Sequence, residues 1–188
     1  MSGYDAIVVG CSAGGLAALQ RMLPALDATL RTPVIVCCHT GSADVSLLVE
    51  LLRRTSALPV VEARERAPIA GATVHVAPTG YHLLVEDDLH FSLSVDGKVA
   101  YSRPSIDVLF ETAADAWRER LVAVLLTGAN SDGANGLAAV RRAGGHAIVQ
   151  DPDDAESDVM PRAGLDVAGA DACLPLDAIA PHLNRLCL

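Results

Sequence analysis

The chain has 188 residues, enough for one domain that buries roughly 70% of its unfolded surface. Hydrophobic residues make up 51% but aromatics only 3%, so the core must be built from Ala, Val, Leu and Ile. A formal net charge of -9, with Lys98 the single lysine, excludes the clustered cations that hold nucleic-acid phosphates. Asp5 precedes the first apolar stretch, which stops at Gly10, so the N-terminus does not read as a secretory signal. No apolar run approaches the roughly 20 residues of a membrane span. The expectation is a cytoplasmic protein without membrane insertion. Five cysteines at irregular spacing, with no CxxC pair, read as reduced core residues rather than metal ligands. No cofactor is implied.

In chain order, residues 5–10 predict a buried strand, followed by a glycine-rich turn and a helix over 14–26. Leu16, Leu19, Leu23 and Leu26 give that helix its apolar spacing, and Pro24 should end or bend it. A second strand spans 33–38. Ser42 then opens a helix with Val45, Leu48, Leu51 and Leu52 on one face, closing at Arg53-Arg54. Residues 59–63 read as a third strand. From 68 to 103 the pattern changes: a short strand at 74–77, then strands near 82–86, 89–95 and 98–101. Asp87-Asp88 and Asp96-Gly97 join these last three as hairpins, an antiparallel insert expected at an edge of the main sheet. Ser105 is a candidate N-cap for a helix reaching about Arg118.

Strand 121–126, helix 133–143 and strand 146–150 follow. An acidic loop over 151–158 precedes a short helix after Pro161, a strand at 172–174 and a closing helix over 177–187. Continuous aliphatic strands alternating with helices predict an α/β fold of three α/β/α layers around a doubly wound, mostly parallel sheet. The antiparallel hairpin insert lies near 82–101. No linker or repeat interrupts the chain, so 1–188 reads as one domain.

Three segments place chemistry at the carboxyl ends of strands, the edge where parallel sheets build their sites. Gly10-Cys11-Ser12-Ala13-Gly14 fits the G-x-S-x-G pattern, in which a sharp turn exposes a nucleophilic serine and the next helix aims its N–H groups at an oxyanion. The same turn also reads as a purely structural one. As a dinucleotide loop it fails, because Ser12 stands where G-x-G-x-x-G needs its second glycine. His39 follows the second strand and suits a general base, although His75, His82, His90 and His146 show that strand-associated histidines are common here. Asp132 lies among Gly128, Gly133 and Gly136, where it can orient an imidazole or merely cap the next helix. Asp151, Asp153, Asp154 and Asp158 are its rivals. The order Ser, His, Asp differs from that of α/β-hydrolases, chymotrypsin and subtilisin.

Further motifs occur in order. These are Gly10-x-Ser12-Ala13-Gly14-Gly15-Leu16, His39, Ala77-Pro78-x-Gly80-x-His82, and Arg103-Pro104-Ser105-x-Asp107-x-Leu109-Phe110. Leu126-Thr127-Gly128 with Asp132-Gly133-Ala134-x-Gly136, then Gln150-Asp151 followed by Met160-Pro161, complete the set. Together they resemble the catalytic domain of the chemotaxis protein-glutamate methylesterases (CheB type), over nearly the whole chain. The resemblance implies a Ser12-His39-Asp132 triad, with the backbone N–H groups of Ala13 and Ala129 as oxyanion donors. The implied reaction is hydrolysis of glutamyl methyl esters on chemoreceptor-type signalling proteins, with glutamine deamidation as a further activity.

Three departures from the family stand out. Its members usually carry an N-terminal receiver domain, whereas this chain begins at the first strand, so a separate response-regulator partner is expected. Cys38 stands where glutamine is common, with Thr40-Gly41 after His39 in place of a more apolar continuation, and Ala129 stands where methionine is usual. The alternative function is a low-turnover binding module in a signalling pathway. Docking of an acidic substrate helix would need a local basic patch, with Arg53, Arg54, Arg64 and Arg103 as candidates.

Overall fold

A computed structural model describes residues 3–41 and 44–188. Seven parallel strands form the main sheet in the order β3-β4-β2-β1-β7-β8-β9. They are β1 (Ala6–Cys11), β2 (Val34–Cys38), β3 (Val60–Glu62), β4 (Val74–Val76), β7 (Leu121–Leu125), β8 (His146–Gln150) and β9 (Ala172–Leu174). The central strands β1, β2 and β7 are apolar and buried throughout because both of their faces are covered. Alternation divides them cleanly: Ile7, Val9 and Cys11 face one core, while Ala6 and Val8 face the other.

Helices α1 (Gly15–Met22), α2 (Ser46–Arg53) and α6 (Leu176–Cys187) cover the first face through Leu19, Leu48, Leu52 and Leu183. Helices α3 (Ile106–Trp117), α4 (Ala134–Arg142) and α5 (Val159–Val167) cover the second. Each fully buried Leu, Ile or Phe contributes roughly 1.5–3 kcal/mol of transfer free energy. Both phenylalanines, Phe91 and Phe110, are spent on the second face. The architecture is therefore the predicted three-layer α/β/α.

Several boundaries differ from the expected ones. The first helix ends at Met22 and passes into a 3-10 turn at Leu23–Ala25, because Pro24 cannot continue the α-helical ladder. The fifth helix starts at Val159, before Pro161; that proline falls in the first turn, where its missing N–H has no intrahelical acceptor. Ser42, expected to open the second helix, lies outside the described residues, and α2 begins at Ser46. Among the described residues no helix is long and apolar enough to cross a membrane.

The insert is where the expectation needs correction. Strands β5 (His82–Val85) and β6 (Phe91–Ser94) pair antiparallel around the Asp87-Asp88 turn, but they form a separate sheet rather than an edge of the main one. Leu83, Val85 and Phe91 bury against Ile106, Leu109 and Phe110, so the hairpin lies over α3. The strand expected at 98–101 does not form. Ala100 and Tyr101 take positive φ values of 46° and 65°, and a lone bridge joins Val99 to Ser102. That turn carries Ser102 back over the carboxyl edge of the sheet.

Candidate active site

The loops after β1, β2 and β7 meet at the carboxyl edge, where the strand order reverses about β1. Ser12 follows β1 directly. Its N–H donates to Thr127 O at 2.9 Å, and its carbonyl accepts from Gly15 N–H at 2.7 Å. The sharp turn needs Gly14 at φ 77°, a conformation that a side chain would strain. Gly15 is demanded by packing: a Cβ there would sit 2.7 Å from Cys11 Sγ and 3.2 Å from Cys38 Sγ. Thr127 Oγ1 donates to the carbonyl of Ala13 at 2.8 Å and accepts from Ser157 N–H at 2.9 Å, tying the serine turn to the loop after β7.

His39 follows β2, its N–H donating to Cys11 O at 3.0 Å. Its imidazole Nε2 lies 2.8 Å from Asp132 Oδ2, with 12% of the histidine side chain exposed and none of the aspartate. The opposite ring nitrogen, Nδ1, stands 3.4 Å from Ser102 Oγ. Ser12 and His39 line one cleft of about 490 Å³, otherwise walled largely by Leu16, Leu47, Leu48 and Leu51. Thus histidine and aspartate are directly bonded, and serine and histidine share a cavity.

Asp132 does not cap its own helix. Its Oδ1 accepts from Ser105 Oγ at 2.8 Å and Asp107 N–H at 3.0 Å, and its Oδ2 accepts from Ile106 N–H at 2.7 Å. These donors open α3, so the carboxylate sits at that helix's positive end. Burial pushes the Asp132 carboxyl up, but His39, the Asp107 and Ile106 amides and Ser105 outweigh it and hold the group below its ordinary value. Asp107 returns the arrangement: its Oδ1 accepts from Gly133 N–H at 2.9 Å and Gly136 N–H at 2.7 Å, at the start of α4. Here burial prevails and raises the Asp107 carboxyl.

Ala13 and Ala129 are both exposed, on the turns after β1 and β7. Of the rival acids, Asp153 and Asp158 pair with Arg162, and Asp154 accepts from Leu176 N–H and Gln150. The proposed basic patch is split. Arg53 and Arg64 line a separate groove, Arg54 pairs with Glu50, and Arg103 joins Lys98 in a small pocket beside His39. Sequence reasoning gave no role to Ser102, which the failed strand conceals, nor to Asp107. The Arg103-Pro104-Ser105-x-Asp107 motif was the available signal for the latter.

The family model of CheB methylesterase matches residues 7–183. A Leptospira interrogans protein provisionally named protein-glutamate methylesterase/protein-glutamine glutaminase is 43% identical over 97% of this chain and 95% of its own length. A protein-glutamate methylesterase/protein-glutamine glutaminase of Symbiobacterium thermophilum is 38% identical; the alignment covers 95% of this chain but 49% of that protein. The crystal structure of the Thermotoga maritima CheB methylesterase catalytic domain superposes with a TM-score of 0.93 at 30% identity. That match covers 99% of this chain and 100% of that domain.

Proposed function

The chain belongs to the CheB methylesterase family, and on that premise we propose that residues 1–188 act as one serine-esterase domain. The domain hydrolyses glutamyl methyl esters on chemoreceptor-type signalling proteins. Its relatives' names add glutamine deamidation. The observation that carries the reading is the 2.8 Å bond between His39 Nε2 and a fully buried Asp132, at the rim of the cleft that Ser12 lines.

In this reading Asp132 holds the imidazole, leaving Nδ1 as the nitrogen that takes the Ser12 proton as Oγ attacks the ester carbonyl. The N–H groups of Ala13 and Ala129 bear the oxyanion. Collapse of the tetrahedral intermediate expels methoxide, which leaves as methanol with the proton from His39. Water then gives its proton to His39 and attacks the acyl-Ser12 ester; as the second tetrahedral intermediate collapses and releases glutamate, His39 returns that proton to Ser12 Oγ. Amide hydrolysis follows the same path, with ammonia leaving in place of methanol. We place the reaction in the cytoplasm, under a separate response-regulator partner.

Ser12→Ala should lower the rate of methanol release from a methylated receptor by about 10⁶-fold while the fold persists. Full activity in that variant refutes the assignment. Covalent labelling of Ser12 by a fluorophosphonate separates an activated nucleophile from a binding module.

A further inference from the structure

Two thiols flank the proposed nucleophile and base in sequence and meet beneath them in space. Cys11 precedes Ser12 at the end of β1, and Cys38 precedes His39 at the end of β2; the two cysteines are register partners across the strand pair. Both face the same core, whereas Cys37 faces the opposite one. Their sulfurs lie within 3.2 Å of one point, the position that a Cβ on Gly15 would occupy. Interaction between the paired thiols holds the Cys38 thiol below its ordinary value, while that interaction and burial push the Cys11 thiol up. The Cys38 Sγ–H donates to His39 O at 3.9 Å. Cys38 is not sealed in: it lines the cleft beside Ser12 and His39.

We propose that Cys11 and Cys38 form an oxidative modification site, which a peroxide converts to a disulfide beneath the catalytic turn. The Cys38 thiolate attacks one peroxide oxygen and the O–O bond breaks, leaving Cys38 sulfenic acid and, after protonation, water. The Cys11 sulfur then attacks Cys38 sulfur. An S–S bond forms, and hydroxide leaves as water with the Cys11 proton. Two thiols are oxidised and one peroxide is reduced to two waters.

Neighbouring strands run about 4.7–4.9 Å apart, within the Cα separation of about 4.4–6.8 Å that a disulfide spans. Disulfide-linked Cβ atoms sit about 3.8 Å apart, closer than the strand spacing, so closure pulls the Cβ atoms of Cys11 and Cys38 toward each other and twists the backbone that leads into the next residues. The next residues are Ser12 and His39. A displacement near 1 Å between reacting groups costs on the order of 10²-fold in rate. That consequence for activity rests on the esterase reading; the thiol pairing does not.

The test treats the full chain with hydrogen peroxide, then maps cross-linked peptides by mass spectrometry and follows hydrolysis of a small ester. The expected product is two hydrogens lighter, linked Cys11 to Cys38, with hydrolysis reduced about 10²-fold and restored by dithiothreitol. Cys11→Ser, with Cys11→Ala as a second variant, keeps its basal hydrolysis and gives no such link. Absence of the link in wild type, a link from Cys38 to Cys37 instead, or a complete link with undiminished hydrolysis overturns the proposal. Untreated wild type that hydrolyses no ester refutes the esterase reading, while the cross-link still decides the pairing.

Discussion

Asp132 serves two masters. It takes the imidazole of His39 and three donors from the opening of α3, all with a side chain that water does not reach. Asparagine at this position keeps the shape but must aim an NH₂ group at a donor, leaving one buried partner unsatisfied. Asp132→Asn should therefore cost roughly 1–3 kcal/mol of stability, read by urea denaturation. It should also lower kcat by about 10⁴-fold, because the imidazole loses the group that fixes its tautomer.

The stability difference depends on pH. The folded chain holds the Asp132 carboxyl below the ordinary value of about 3.9, so its contribution is fully present above that pH. It is lost as pH falls through the lower folded value. Asp107 has the opposite sign: burial raises its carboxyl, so its ionisation opposes folding and acid relieves that penalty. The gap between wild type and Asp132→Asn should accordingly shrink between pH 7 and the acid side of the carboxylate range. A gap that is constant down to the acid limit would contradict the assigned bonds.

Helices α3 and α4 exchange carboxylates at their openings: Asp132 accepts from the first turn of α3, and Asp107 accepts from that of α4. The exchange requires the two helices to touch. At Gly136 a Cβ would lie 2.7 Å from Phe110 Cβ and 2.9 Å from Asp107 Cα. Replacing a helical glycine with alanine ordinarily favours the helix by about 1 kcal/mol. Here Gly136→Ala should instead destabilise by roughly 1–3 kcal/mol through overpacking, and lower esterase activity by moving Asp132. Thermal denaturation and ester hydrolysis, measured together, test both halves.

At this scale the central elements were legible because both cues agreed: aliphatic runs such as Ala6-Ile7-Val8-Val9 and glycine punctuation after them. Residues 98–101 read as a strand because Asp96-Gly97 looks like a hairpin turn, whereas the chain reverses later, through the positive φ values of Ala100 and Tyr101. Likewise the hairpin's resting place was hidden. Leu83, Val85 and Phe91 announce a buried face but not which element buries it.

Across the whole molecule, the sequence brought Ser12, His39 and Asp132 to one edge through topology alone, since each follows a parallel strand. What it could not show was the direction of each contact: that Nε2 faces Asp132 and Nδ1 faces Ser102 depends on side-chain rotation, which periodicity does not record. Charge also acts at this scale. With a net charge of -9 and its arginines dispersed, the domain repels an acidic partner at long range. The Debye length is about 30 Å at 0.01 M salt and about 8 Å at 0.15 M. Raising ionic strength across that range should increase kcat/KM for an acidic methylated receptor helix, while a small neutral ester shows no change. A fall for the receptor helix would mean that the cations of Lys98 and Arg103 dominate docking.

The shared use of one carboxylate has an evolutionary reading. A descendant of this chain that abandoned hydrolysis would shed its serine or its imidazole freely, yet would keep the aspartate to hold two helices in place. In a sequence survey, then, an aspartate at this point testifies to architecture, and only the hydroxyl and the imidazole testify to chemistry.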